Sequence, residues 1–136
     1  MTPRRQAAPT VVGLTLDTGA LIAAERGNER VDALLVRAMT ARAPISVPAG
    51  VVAQAWRHGH RQVVLTRLLA HSLVEVVPLD DLAARAAGVL CGLTHTSDVV
   101  DASVVLCAQR RGRAVIVTSD PDELARLDPQ ARIVAI

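Results

Sequence analysis

Four aspartates stand out for where they fall: Asp17, Asp98, Asp101 and Asp120. Asp17 directly follows the apolar run Val11-Val12-Gly13-Leu14-Thr15-Leu16, and Asp120 follows Val115-to-Thr118 after only Ser119. Asp98 and Asp101 lie in the first turn of a helical segment, and their i, i+3 spacing puts both carboxylates on one side of it. Gathering carboxylates is electrostatically costly unless a cation neutralises them. Oxygen-only ligation suits Mg²⁺ or Mn²⁺, and such an ion can make a hydroxide nucleophile while stabilising the charge that develops on a phosphodiester. The chemistry to infer is metal-assisted phosphodiester hydrolysis. Taken singly, each acid also reads as a helix cap: Asp17 ahead of a short helix, Asp98 as an N-cap, and Asp120-Pro121-Asp122-Glu123 as a D-P-x-E helix start with Pro in first position.

The four acids meet only if the surrounding elements bring them to one edge. Val11 to Leu16 reads as a buried strand followed by a short helix Ala20 to Glu25. Asn28 can cap a helix Glu29 to Arg42, where Val31, Leu34, Leu35 and Ala38 recur at helical spacing. Ile45-Ser46-Val47 is a short strand, with Pro48 at the start of a helix through Arg57 that His58-Gly59-His60 breaks. Next come a helix Arg61 to Ala70, a strand Val74 to Val77 and a helix Leu79 to about Cys91. A helix Asp98 to Arg111 stops at Gly112 and leads into the strand Ala114 to Thr118. A helix Pro121 to Leu127 and a strand Arg132 to Ile136 close the chain. Strands separated by helices predict an α/β fold, a parallel central sheet flanked by helices on both faces. In such open sheets the reactive crevice lies beyond the carboxyl ends of the strands. Asp17 and Asp120 fall there directly. The helix carrying Asp98 and Asp101 runs antiparallel to the strand it feeds, so its amino end faces the same edge.

Composition narrows the alternatives. The chain has 136 residues, the size of one domain, which we place over residues 11–136 behind a flexible polar tail over residues 1–10. Apolar residues make up 51%, but with one Trp and no Phe or Tyr the core must be aliphatic. Modules that hold single-stranded RNA by stacking bases on several aromatic rings are disfavoured, and the lone Trp56 is read as core. Fifteen basic against thirteen acidic residues give a net charge of only +2. Arg57, Arg61, Arg67, Arg110, Arg111 and Arg113 nevertheless form two clusters, and the guanidinium fork suits phosphate as well as it suits a solvated helix face. Cys91 and Cys107 fit reduced core residues and a cytoplasmic home. Arg4-Arg5 resembles a twin-arginine signal only weakly, because Asp17 interrupts the apolar run behind it, and no stretch approaches a membrane span. His58, His60, His71 and His95 lack a zinc-ligand spacing, and no GxSxG, Walker or GxGxxG motif is present.

The segments LDTGALIA, DVVDASVVLCAQRRG and VIVTSDPDEL resemble, in order and in placement at strand ends, the corresponding segments of PIN-domain proteins, especially VapC-type toxins of toxin-antitoxin pairs. The resemblance spans nearly the whole chain and implies a PIN-like α/β/α sandwich. By position, Asp17, Asp101 and Asp120 match the acids that hold Mg²⁺ or Mn²⁺ in such proteins; Asp98 matches an accessory acid of some members, and Asp122 is a weaker candidate. PAGVVAQAWRHG resembles the segment where these nucleases usually carry a Glu, but here Gln54 keeps an oxygen and loses the charge. Among neighbours, Thr18 and Ser119 are hydroxyls able to hydrogen-bond a carboxylate, with helix capping the first reading for Ser119. The resemblance further implies an endoribonuclease acting on tRNA, rRNA or mRNA, a homodimer, and a small antitoxin whose arginine would plug the acidic cleft. The alternative it leaves is a catalytically weak RNA- or protein-binding domain disabled at Gln54. A small phosphatase is disfavoured, because Asp17-Thr18-Gly19 lacks a DxD pattern.

Overall fold

A computed structural model describes residues 12–136. The tail expected over residues 1–10, and Val11 at the head of the first strand, lie outside them. The elements are β1 (Leu14–Leu16), α1 (Thr18–Glu25), α2 (Glu29–Thr40), β2 (Ile45–Pro48), α3 (Ala49–Ala55), a 3₁₀ turn (Gly59–Arg61), α4 (Val63–Ala70), β3 (Val74–Val77), α5 (Asp81–Thr94), α6 (Val99–Arg110), β4 (Val115–Thr118), α7 (Pro121–Leu127) and β5 (Ile133–Ala135).

The five strands form one parallel sheet in the order β3-β2-β1-β4-β5. Chain order runs outward from β1 to β3 on one side and from β4 to β5 on the other, so the topological switch falls between β1 and β4. α1 packs with α2, α3 and α4, while α5, α6 and α7 pack with one another and α6 crosses β2, β1 and β4. Each layer therefore covers the sheet as right-handed crossovers require. β1 and β2 are buried throughout, and β4 nearly so, whereas edge strands β3 and β5 are only partly covered. This explains why the inner strands read as continuous aliphatic runs without alternation. Leu16, Leu21, Ile45, Leu65, Ile116 and Leu124 are fully buried at the centre, an aliphatic core as composition required.

Local polar groups move several helix ends. α2 stops at Thr40, short of the expected Arg42, which takes a left-handed φ of 55°. α3 stops at Ala55 instead of Arg57, because the Gln62 side chain captures the backbone N–H groups of Arg57 and His58. The break expected at His58-Gly59-His60 is the 3₁₀ turn, and α4 starts at Val63, two residues late. α5 begins at Asp81, not Leu79, since the Asp80 carboxylate caps it by accepting from the Ala83 N–H at 2.8 Å. It runs on past Cys91 until His95 ends it in the left-handed region. Among the described residues no single helix is long and apolar enough to cross a membrane.

Candidate active site

β1 ends at Leu16, and its next residue continues the ladder: the Asp17 N–H donates to Val117 O at 3.3 Å. That bond fixes Asp17 at the switch point beside β4. Its carboxylate, only 6% exposed, accepts from the Ala20 N–H at 2.8 Å and from the Thr118 hydroxyl. Burial pushes the Asp17 carboxyl above the usual range and the charge of Asp120 adds to this, while the bonds from Thr118, Ala20 and Gly19 pull it down.

Thr118 is the residue that sequence reasoning missed here. Its hydroxyl donates to Asp17 and accepts from the Asp120 N–H at 2.8 Å, tying the end of β1 to the start of α7. The available signal was a lone hydroxyl closing an otherwise aliphatic strand. Thr18, expected to serve a carboxylate, instead donates to Gln54 Oε1 on α3, which ties exposed Gln54 to the residue after Asp17. Ser119 is not a cap: Asp120 caps α7, and among the described residues the Ser119 hydroxyl makes no hydrogen bond. It lies so close to Gly19 that a Cβ there would meet Ser119 Oγ at 2.0 Å. A side chain at residue 19 would have to displace the Ser119 hydroxyl.

Asp98 caps α6, accepting from the Asp101 N–H at 3.0 Å. Asp98 is thus a helix cap whose charge also acts on Asp101. Asp101, half-buried one turn into the helix, has its carboxyl pushed up to about 7. Burial is the largest cause, followed by the charge of Asp98 and a carboxyl–carboxyl hydrogen bond with it, then by the charges of Asp17 and Glu123. Glu123 had been read only as part of a D-P-x-E helix start. The reciprocal half of that capping box is absent, because the Asp120 N–H goes to Thr118 instead, and the Glu123 carboxylate acts on Asp101. The i, i+3 spacing that drew attention to Asp98 and Asp101 relates Asp120 and Glu123 as well. Asp122 is exposed and, among the described residues, takes part in no hydrogen bond or ion pair through its side chain.

Acids from β1, α6 and the β4–α7 junction thus act on one another electrostatically, and among the described residues none of the three ion pairs reaches Asp17, Asp98, Asp101 or Asp120. The donor set is all oxygen and, among the described residues, has no cation ion-paired to it, which fits a hard divalent ion in chemistry and charge. The side chains stand apart rather than gathered on one point: among the described residues no three carboxylate, His or Cys groups form a closed metal cluster.

Trp56 departs from expectation. It is 38% exposed at the end of α3, its indole against Gly59, rather than in the core.

Fold and site together define a doubly wound α/β domain with carboxylates at the carboxyl edge of its switch point. The PIN-domain family model matches residues 14–129, and the chain belongs to the PIN-domain family, whose members are generally nucleases. Among solved structures it is similar to the DNA-bound VapBC from Salmonella typhimurium, at 18% identity, covering 92% of this chain and 98% of that one with a TM-score of 0.65. It is also similar to VapBC2 from Rickettsia felis bound to a DNA fragment from their promoter, at 12% identity, 90% and 98% coverage and a TM-score of 0.64. FitAcB from Neisseria gonorrhoeae aligns at 21% identity, 88% and 95% coverage and a TM-score of 0.60. At these identities the likeness is one of fold. No curated protein matches the chain significantly.

Proposed function

We propose that this PIN-domain protein is a Mg²⁺- or Mn²⁺-dependent endoribonuclease, the VapC-type toxin of a toxin-antitoxin pair. The observation that carries the reading is that Asp17 acts electrostatically on both Asp101 and Asp120, acids from three separate elements that none of the ion pairs among the described residues reaches, in a family of nucleases. Asp17, Asp98, Asp101 and Asp120 would hold the ion. When bound, the ion supplies Lewis-acid activation of water and neutralises charge developing on the phosphodiester.

The chain's own residues prepare for this. Thr118 keeps Asp17 oriented and counters the effect of burial on its carboxyl. Burial, then the charges of Asp98, Asp17 and Glu123, raise the proton affinity of Asp101, so a cation held there would compete with a proton. Solution of the neighbours as VapBC and FitAcB complexes supports a small antitoxin as partner, and the resemblance to VapC-type toxins supports a homodimer. Free, buried Cys91 and Cys107 fit the reducing cytoplasm.

The test is cleavage of end-labelled tRNA and ribosomal RNA with Mn²⁺, beside Asp101→Asn and an EDTA control. Discrete products lost in both controls are expected; intact RNA at high enzyme would overturn the reading.

Gln54 favours a second reading. Its amide oxygen accepts from Thr18, next in sequence to Asp17, so the residue tied to the start of α1 is neutral where, by resemblance, these nucleases usually carry a carboxylate. On this reading the domain binds RNA or protein and cuts weakly. Gln54→Glu is then expected to tighten Mn²⁺ binding by calorimetry, about tenfold for one second carboxylate near the ion, and to raise any cleavage; unchanged affinity would remove Gln54 from the site.

A further inference from the structure

Beside α1 and α3 lies an open cavity of about 480 Å³ whose lining includes Arg26, Gln54, Arg57, His58, Arg61 and Gln62. Gln54 belongs to both places, lining the cavity while bonded to Thr18 next to Asp17. Gln54 therefore links the cavity wall to the residue that follows Asp17.

Its basic wall is built rather than incidental. Gln62, only 5% exposed, uses its whole amide: the oxygen accepts from the backbone N–H groups of Arg57 and His58 at 2.8 and 2.9 Å, and the nitrogen donates to Ala55 O at 2.9 Å and to Glu25 Oε2 at 3.2 Å. These four bonds hold the bend between α3 and α4 that presents Arg57, His58 and Arg61. The Arg57 guanidinium is anchored through the carbonyls of Ala53 and Trp56, both at 2.9 Å. Among the described residues none of the ion pairs involves Arg26, Arg57 or Arg61, so three exposed arginines line the cavity without an ion-pair partner. Glu25, the acid in the wall, is engaged by Gln62. On the same bend, Trp56 offers a partly exposed ring at the edge of this loop.

We propose that Arg26, Arg57 and Arg61 form a phosphate-binding subsite that grips the sugar–phosphate backbone of a single-stranded RNA next to the bond held at the acids. The proposal rests on the ribonuclease reading and adds to it where the strand is held. Planar guanidinium groups match phosphate oxygens in pairs, and an unpartnered cationic wall beside an anionic centre orients a chain that is negative along its length. The acids alone would repel such a strand; the arginines offset that repulsion without entering the metal site. Trp56 supplies a face on which one base stacks.

The test is fluorescence anisotropy of a short 5′-fluorescein-labelled single-stranded RNA in EDTA, where nothing is cut, with wild type, Arg26→Ala, Arg57→Ala and Arg61→Ala. Arg85→Ala, on the opposite layer and paired with Asp81, is the control. Each subsite variant is expected to weaken binding roughly five- to tenfold and to lower the slope of log Kd against log salt by about 0.7 per lost contact. The control is expected to bind as wild type does. Affinity and salt slope unchanged in Arg26→Ala and Arg61→Ala, whose side chains make no hydrogen bond among the described residues, would overturn the subsite. Mn²⁺-dependent cleavage by wild type keeps the two ideas separable. Intact cleavage with unchanged binding in the variants removes the subsite alone; no cleavage and no binding by wild type removes both. Unchanged RNA affinity together with lost binding of a poly-glutamate peptide would overturn the RNA subsite in favour of an acidic protein partner.

Discussion

Asp101 carries the sharpest consequence at the scale of single residues. Its carboxyl stands at about 7 in the fold against an ordinary 3.8, so between those values the native chain holds a proton that the unfolded chain has released. Stability from this group is therefore fully present below about 4 and is lost as pH rises towards 7. In EDTA, Asp101→Asn is expected to melt a few degrees above wild type at pH 7.5 and level with it at pH 4; a variant that melts lower at both would show that the repulsion is not there. Thr118 answers the opposite problem at Asp17. Thr118→Val keeps the shape and removes the donor to a buried carboxylate, at a cost of about 1–3 kcal/mol in stability. Urea melts would show it, and weaker Mn²⁺ binding should accompany it. Full stability in that variant would mean that Asp17 does not depend on the hydroxyl.

At the scale of elements, the crossing of α1 and the β4–α7 junction decides whether Asp17 and Asp120 share a site. Gly19 allows Ser119 to approach to where a Cβ would sit. Gly19→Ala is expected to displace the Ser119–Asp120 turn and lower stability by about 1–3 kcal/mol. Adding Ser119→Gly removes the Oγ and should restore much of it. A double variant no better than the single one would locate the strain elsewhere. The acidic helix starts work similarly: Asp17, Asp98 and Asp120 each cap a helix and face the same edge, so the residues that begin α1, α6 and α7 are also the candidate ligands. Caps and cluster are compatible because a carboxylate oxygen that accepts from one backbone N–H keeps further lone pairs.

At the scale of the whole molecule, the parallel sheet sends every strand's carboxyl end to one side and the switch between β1 and β4 opens the crevice there. Mutual repulsion of the acids makes the metal-free domain less stable than its core alone would allow, and a bound cation reverses that. Mn²⁺ at a hundredfold over its Kd is expected to stabilise the wild-type domain by about 2.7 kcal/mol. A calorimetric scan with and without Mn²⁺ checks it, with Asp101→Asn giving a smaller rise. Equal melting of wild type with Mn²⁺ and with EDTA would count against a metal site in the fold.

Alternation of aliphatic runs with helical periods sufficed to read the parallel α/β class, the strands and the carboxyl edge from the sequence, because burial on both faces leaves an unmistakable local signature in β1, β2 and β4. Asp17, Asp98, Asp101 and Asp120 were also visible, since they sit at element ends where local spacing marks them. What remained hidden depends on contacts between distant segments. Thr118 on Asp17, Thr18 on Gln54, Glu123 beside Asp101 and the hold of Gln62 on the bend after α3 join residues from separate elements, and no local period encodes them. The helix ends moved for the same reason, since a captured N–H or a neighbouring cap decides a boundary that propensity leaves soft. Trp56 was placed in the core on residue type alone, yet the turn that Gln62 imposes carries it to the surface. Local physics therefore decided which elements form, and tertiary packing decided which of their polar groups meet.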